Sequence, residues 1–282
     1  MKSHLALLLA LTAPGLAPAQ VTSPVQSPAQ PFSLAITDLV QLAGSDAASA
    51  TFQANVLPSI AELVNRSLAE SAELKNAMAL KLDPSQLKLS TDSTIRVYFV
   101  GEGAGYHNTL VFNFYLPGVN TSAQAASRSV ITVATQIIFP DASSPISTYD
   151  PKSLALRTIQ NPLLPGDFVD LGKFVAGGRL DLALIANGAN GGTTTFGASP
   201  ARNDDHLTHL ISFALPNSPY LILAFEDLLG GGDRDYNDVI VALDIGRANV
   251  ARLVSAPVPP LALTLVALMG VAAWGRRRFS CA

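Results

Sequence analysis

The protein has 282 residues, of which 49% are hydrophobic and 14% are charged, and its formal net charge is −3. This composition describes a globular chain and excludes the basic surface that nucleic-acid binding requires. The only cysteine is Cys281, so the chain cannot form an internal disulfide. Its rigidity must come from a hydrophobic core or a bound ion.

The first residues have the pattern of a secretory signal peptide. Lys2 precedes an apolar run, and residues 17–19 (APA) have the small-x-small form of a cleavage site. We therefore expect residues 1–19 to be a signal peptide and the protein to be exported. The alternative, an apolar first helix of the fold, is disfavoured because Pro14 and Pro18 interrupt the pattern.

The next two segments differ in composition. Residues 20–31 are rich in proline, serine and glutamine, which predicts a stiff linker. Residues 32–90 predict a short helical N-terminal region, with Pro58 in a first helical turn. The apolar residues at helical spacing are Ile60, Leu63, Val64, Leu68, Leu74 and Met78.

Residues 91–247 change to short β-branched and aromatic runs separated by turn-forming residues, which is the pattern of an all-β domain. The predicted strands are residues 94–100, 110–116, 129–139, 153–159, 179–186, 207–214, 220–226 and 239–245. Strands at this spacing predict a mainly β chain with a β-sandwich or jelly-roll-like domain. Residues 248–257 are predicted to be a second linker.

An acidic stretch, FEDLLGGGDRDYND (residues 225–238), connects the last two predicted strands. Carboxylates this close repel one another unless a cation or hydrogen-bond donors offset the repulsion. Calcium takes roughly six to eight oxygen ligands in a flexible shell, and three consecutive glycines allow backbone carbonyls to turn inward. The candidate calcium ligands are Glu226, Asp227, Asp233, Asp235, Asn237 and Asp238.

The acidic stretch also fits a solvated turn, in which aspartates accept hydrogen bonds from local amides, and this alternative stays open. An EF-hand is excluded because Asp238 stands where its loop needs glycine and no helix pattern flanks it. A zinc site at the nearby His206 and His209 is disfavoured because these side chains would project to opposite faces of a strand.

Two further stretches offer polar side chains in loops. GEGAGYHNTL (residues 101–110) contains the candidate binding residues Glu102, His107 and Asn108, and NDDHLTH (residues 203–209) contains Asp205. A tight glycine turn with a hydrogen-bonded His–Asn pair explains the first stretch almost as well as a binding site.

No catalytic residue is assigned from the sequence. The nucleophile elbow, the zinc-protease motif and a cysteine nucleophile in the exported part are all missing from the sequence, so an enzyme is not expected. A carboxylate pair such as Glu226 with Asp227 leaves a polysaccharide hydrolase as the least favoured alternative.

The C-terminal segment, residues 258–282, predicts a transmembrane helix. Its apolar run, residues 258–275, reaches about 27 Å at about 1.5 Å per residue, close to the thickness of a bilayer's hydrocarbon core. Arginines at positions 276–278 follow it, and Trp274 lies where an interfacial aromatic is expected. The globular part is therefore expected to face outward.

Three stretches together resemble a bacterial family known as "domain of unknown function 4114". They are GEGAGYHNTL, DDHLTHLISF and FEDLLGGGDRDYNDVIV, and the likeness covers residues 94–245. The resemblance implies an exported, mainly β domain of the kind found on large surface or adhesin-like proteins. It also implies that the acidic motif binds calcium.

The C-terminus, APVPPLALTLVALMGVAAWGRRR, resembles a PEP-CTERM sorting signal. This resemblance implies recognition by the membrane enzyme exosortase, which removes the helix and is associated with exopolysaccharide production. The usual Val-Pro-Glu-Pro is replaced by Val258, Pro259 and Pro260, without the glutamate. Both outcomes stay open: the tail is cut, or it persists as a membrane anchor.

The sequence thus predicts a cell-surface or extracellular-matrix protein with a calcium-stabilised domain and a structural or adhesive role. Its expected partners are an exosortase-like enzyme, the membrane and exopolysaccharide or other surface glycans, but no nucleic acid. The alternative is a glycan-binding module, with Tyr106, Tyr115 and Tyr236 as candidates for stacking on sugars.

Overall fold

The structure, a computed structural model, describes residues 26–67, 81–118, 134–146, 156–215 and 217–255. The predicted signal peptide, residues 20–25 of the predicted linker and the predicted C-terminal helix lie outside these residues. Among the described residues, no helix combines the length and apolarity needed to cross a membrane.

Most of the described secondary structure is β, as predicted. The strands are β1 (Ala35–Ile36), β2 (Lys81–Leu82), β3 (Ser93–Gly101), β4 (Thr109–Tyr115), β5 (Gln136–Phe139), β6 (Phe168–Phe174), β7 (Arg179–Ile185), β8 (Thr195–Gly197), β9 (Leu210–Ala214), β10 (Tyr220–Phe225) and β11 (Val239–Asp244). Short 3₁₀ turns lie at Pro31–Ser33, Pro84–Gln86, Gly188–Asn190 and Pro200–Arg202.

The strands form two sheets. One has the order β1-β5-β4-β7-β8 and the other the order β2-β9-β10-β11-β3-β6. β1 pairs with β5 in parallel, and the other pairs in the described chain are antiparallel. β10 and β11 are interior strands whose pairing ends at Phe225 and Val239. The connection between them, the acidic loop (residues 226–238), therefore lies at one end of the six-stranded sheet.

The main hydrophobic core contains side chains from both sheets. Along β3, Ile95, Val97 and Phe99 face this core, while Tyr98 and Val100 face the opposite side of the sheet. The rings of Phe99 on one sheet and Phe139 on the other meet edge to face at 6.2 Å. Burial of this shared surface joins the two sheets.

A helical segment covers the outer face of the six-stranded sheet. It consists of α1 (Ala47–Thr51), a π-helical turn (Phe52–Val56) and α2 (Leu57–Ser67). Its start is fixed by a capping box in which the Asp46 side chain accepts from the Ser49 amide. Ile60 and Val64 are buried against the sheet, as their spacing predicted, while the predicted Leu68, Leu74 and Met78 lie outside the described residues.

The described elements differ from the predicted pattern in three places. The region predicted to be helical, residues 32–90, also supplies two strands: β1 belongs to the five-stranded sheet and β2 to the six-stranded sheet. A helix, α3 (Arg247–Ser255), occupies most of the segment predicted as a second linker. The described part of the predicted strand 153–159, residues 156–159, contains no strand, whereas β6 and β8 were not predicted.

Candidate metal centre

The backbone of the acidic loop winds through left-handed conformations. Gly230, Gly231 and Gly232 have φ values of 87°, 82° and 42°, and Arg234 and Tyr236 have values of 64° and 58°. Glycine adopts such values without a steric penalty, whereas other residues rarely do. The three glycines therefore allow a tight path that folds the second half of the loop back toward its start.

This path brings the predicted acidic ligands together in two groups. Carboxylate oxygens of Glu226, Asp227 and Asp238 all lie within 4.8 Å of one another, and so do those of Glu226, Asp233 and Asp235. Glu226 belongs to both groups and is almost fully buried, with an exposed fraction of 1%. Asp227 and Asp235 are also buried, while Asp233 is exposed.

Glu226 occupies a space that only glycine leaves open. Its Oε2 accepts a hydrogen bond from the Arg234 amide at 3.1 Å. A Cβ atom on Gly232 would overlap its Oε1. The glycine run thus provides both the backbone conformation and the cavity for the shared carboxylate.

Asp227 and Asp238 are held by hydrogen bonds from two directions. The Asp227 amide donates to Asp238 Oδ2 at 2.7 Å, which closes the base of the loop. The Asp227 carboxylate accepts from Asn108 Nδ2, also at 2.7 Å. The predicted binding residue Asn108 therefore contacts this group through one of its acids.

The predicted ligand Asn237 lies between the acidic loop and the connection from β3 to β4. Its backbone amide and its Nδ2 both donate to the Asp235 carboxylate. The backbone carbonyl oxygen of Asn237 accepts a hydrogen bond from the Gly103 amide at 3.0 Å. A Cβ atom on Gly103 would overlap the Asn237 side-chain Oδ1. Asn237 thus fixes Asp235 and brings the two connections together.

Glu102 and His107 lie in a different polar cluster. Glu102 accepts from the Ser144 amide at 3.1 Å, and burial raises its pKa to about 7. The His107 Nδ1 lies 2.9 Å from the buried Asp141 Oδ2 and 3.2 Å from Ser143 Oγ. Sequence reasoning missed Asp141, because nothing around it in the sequence indicates that it faces a histidine from another connection.

Asp205 supports the acidic loop from outside the two groups of acids. Its Oδ2 accepts from the Gly230 amide and pairs with His209 Nε2, both at 2.8 Å, while Oδ1 accepts from the Leu207 amide at 3.0 Å. Burial opposes ionisation, but these hydrogen bonds outweigh it and lower the pKa of Asp205. In the structure Asp205 holds the acidic loop in place, and its role as a binding residue stays a prediction.

His209 is a second support that the sequence did not indicate. Its Nδ1 lies 2.9 Å from the Glu226 carbonyl oxygen, and its ring stacks on Phe196 at 3.8 Å. The two ring nitrogens face the Glu226 carbonyl oxygen and the Asp205 carboxylate, so the buried ring joins the acidic loop to its support. A zinc pair of His206 with His209 is disfavoured by the sequence. In the structure His206 is exposed.

The geometry unites the three stretches that resemble one family. Residues 174–246 match the family model described as Domain of unknown function (DUF4114). The match contains β7 to β11 and the whole acidic loop. No curated protein and no solved structure matches the chain.

The acidic groups within the DUF4114 match could hold a metal ion. Burial raises the pKa of Glu226 to about 7 and that of Asp238 to about 9, and neighbouring carboxylates add to both effects. Burial also raises the pKa of Asp227. Without a cation Glu226 and Asp238 hold their protons to higher pH than ordinary carboxylic acids do. Hard oxygen donors of this kind are the ligands that calcium prefers.

Proposed function

We propose that this protein is an exported cell-surface or extracellular-matrix protein whose two sheets form a β-sandwich stabilised by calcium at the acidic loop. The observation that carries the proposal is the buried Glu226 carboxylate, which lies within 4.8 Å of two sets of acidic oxygens. Calcium would be held by Glu226, Asp227 and Asp238 together with the adjacent Asp233, Asp235 and Asn237.

Electrostatics support this role for the ion. Carboxylates in a buried cluster repel one another strongly, because the surrounding protein screens charge less than water does. A divalent cation converts this repulsion into attraction. Since the acidic loop connects β10 to β11, calcium would stabilise the pairing of two interior strands.

The sequence supports the place and role of the protein. The predicted signal peptide and the PEP-CTERM-like tail favour export, with the tail either cut by an exosortase-like enzyme or retained in the membrane. The family match covers a domain of unknown function, and the acidic loop within it favours a structural or adhesive role at the surface. We assign no catalytic residue.

Calcium-dependent unfolding tests the proposal. Purified protein is unfolded by heat in a chelator and at rising calcium concentrations. Mass action predicts about 2.7 kcal/mol of added stability at a hundredfold excess over Kd, seen as a rising midpoint. Glu226→Gln should remove this rise, whereas Asp204→Asn, at an exposed acid outside both groups, should keep it. A wild-type unfolding midpoint that changes with neither calcium nor chelator would overturn the proposal.

One observation favours the glycan-binding alternative. Tyr106, on the connection from β3 to β4, is 41% exposed, whereas Tyr115 is buried and the Tyr236 hydroxyl donates to the Thr208 carbonyl. Tyr106 is therefore the member of the predicted aromatic set that is free to stack on a sugar. Saturable binding on a glycan array that is lost in Tyr106→Ala would favour this function over a purely structural one.

A further inference from the structure

Asn108 connects the acidic loop to a second loop of the molecule. It lies just before β4, and its exposed fraction is 1%. Its Nδ2 donates to Asp227 Oδ2 at 2.7 Å, and its Oδ1 accepts from the Asn187 amide at 3.0 Å. Its carbonyl oxygen accepts from the Ala142 amide at 2.7 Å. The side chain is thus fixed from both ends.

The two contacts require a side chain that both donates and accepts. Asp227 offers a carboxylate, which can only accept, and Asn187 offers an amide N–H, which can only donate. An aspartate at position 108 would set two carboxylates against each other, and an apolar residue would remove both hydrogen bonds. A carboxamide satisfies both contacts and has one orientation.

The turn that Asn108 contacts is built around Asn187. This residue is left-handed, with φ 50°, and its Oδ1 accepts from the His107 amide at 3.1 Å. Its carbonyl oxygen accepts from the Gly192 amide at 2.9 Å. Residues 187–192, here called the Asn187 turn, therefore depend on the position of the Asn187 backbone, which Asn108 holds.

We propose that Asn108 is a positioning residue that orients the Asp227 carboxylate for calcium and couples the metal site to the Asn187 turn. The inference rests on the proposed function, since it concerns the same metal site. Hydrogen-bond partners of a metal ligand commonly set the ligand's orientation, and their loss typically weakens metal affinity about 10- to 100-fold. Coupling follows because a shift of Asp227 toward an ion is passed through one rigid amide to Asn187.

Calcium titration and hydrogen exchange of the purified protein test this proposal together. In the wild type, calcium should slow amide exchange both in the acidic loop and in the Asn187 turn. In Asn108→Ala, calcium should bind about 10- to 100-fold more weakly. At saturating calcium the variant should show slowed exchange in the acidic loop but not in the Asn187 turn.

A matched control separates positioning from a general loss of stability. Asn203 is another buried asparagine, and its side chain accepts from the Gly197 amide at 2.8 Å and donates to the Leu207 carbonyl at 2.8 Å. Asn203→Ala should lower stability by a similar amount and still show calcium-dependent protection of the Asn187 turn. Equal loss of coupling in both variants would overturn the positioning role.

The possible failures can be told apart. Wild-type protein that binds calcium without any change in the Asn187 turn overturns the coupling, and this result needs no folded variant. Unchanged affinity in Asn108→Ala overturns the positioning role and leaves the calcium site standing. Wild-type protein that binds no calcium overturns the proposed function and this inference with it.

Discussion

At the residue scale, Gly232 makes the shared carboxylate position possible. Gly232→Ala should strain the left-handed backbone and push Glu226 out of its place, because the new methyl group would overlap Oε1. We expect calcium affinity to fall about tenfold or more, as for other changes that displace a ligand. Titration calorimetry measures this change.

Gly230→Ala is the matched control for this substitution. Gly230 is also left-handed, but a Cβ there meets no atom within 4 Å. It should therefore cost about 1–2 kcal/mol of stability from backbone strain alone and leave affinity near the wild-type value. Equal calcium affinity in the two variants would contradict the described position of Glu226.

The buried acid Glu102 should make stability depend on pH. Burial raises its pKa from the ordinary 4.5 to about 7, so the folded chain keeps this proton while the unfolded chain releases it. Its contribution to the free energy of unfolding is complete below about pH 4.5 and declines as the pH rises to about 7. The loss should reach roughly 3 kcal/mol, since the rise in pKa from 4.5 to about 7 contributes about 1.4 kcal/mol per pKa unit.

Glu102→Gln isolates this effect, because the acids of the acidic loop titrate alike in both proteins. In chelator, the variant and the wild type should have the same free energy of unfolding at pH 4.5. Above pH 7 the variant should be the more stable of the two, as measured by urea unfolding. A difference that stays constant across this range would rule out the raised pKa.

Residue types singled out the acids of the site and also Asn108 and Asp205, but they did not show which of these side chains contact one another. The carboxylates of the acidic loop are neighbours in sequence, so their spacing alone indicated a shared ion. Asn108 and His209 contact the loop from distant segments, since β3 pairs with β11 and β9 pairs with β10. The spacing of residues along the sequence does not reveal the order of strands in a sheet. The contacts of Asn108 and His209 with the acidic loop depend on that order, so they could not be predicted.

At the scale of elements, the long strands rich in apolar and β-branched residues were predicted most closely. β10 and β11 are buried along almost their whole length and were predicted within one residue. β6 was missed because Asp170, Gly172 and Lys173 interrupt its apolar pattern. β8 is a short strand inside a stretch of glycine, asparagine and threonine that resembles a loop. β6 forms by pairing with β3, and β8 forms by pairing with β7.

The helical segment depends on one aromatic contact with the sheet. Phe52 is fully buried, and its ring stacks on Tyr98 at 3.8 Å. Phe52→Ala should lower the free energy of unfolding by about 3–5 kcal/mol, because it removes a large side chain and leaves a cavity. Leu39→Ala, at a residue that is 64% exposed, should change it by less than about 0.5 kcal/mol. Urea unfolding measures both, and similar values would show that the helical segment does not depend on this contact.

At the scale of the whole molecule, the N-terminal segment completes both sheets. Leu34 packs on the outer face of the five-stranded sheet, Val40 enters the main core, and Gln41 bridges to Phe168 at the edge of β6. A mainly β chain was predictable from composition and spacing. The use of residues 34–41 as part of the β architecture was not, because the segment is short and β1 pairs in parallel with a distant strand.

Shortening the chain tests this architecture. A protein that begins at Gln30 should be as stable as one that begins at Gln20, the residue after the predicted cleavage site. One that begins at Ala43 should lose roughly 2–5 kcal/mol, the cost of removing a large buried side chain, or more. Thermal unfolding compares the three, and equal midpoints would show that residues 34–41 do not hold the sheets.

The position of β11 has a mechanical consequence. This strand is hydrogen-bonded along both edges, to β10 and to β3, and α3 follows it directly. α3 is itself tied down, since Asn249 accepts from the amides of Ser90 and Thr91. Tension applied beyond residue 255 would therefore have to shear two ladders at once, whereas an edge strand would unzip from a single neighbour. A tether at this end would pull on an interior strand of the sheet and not on one of its edges.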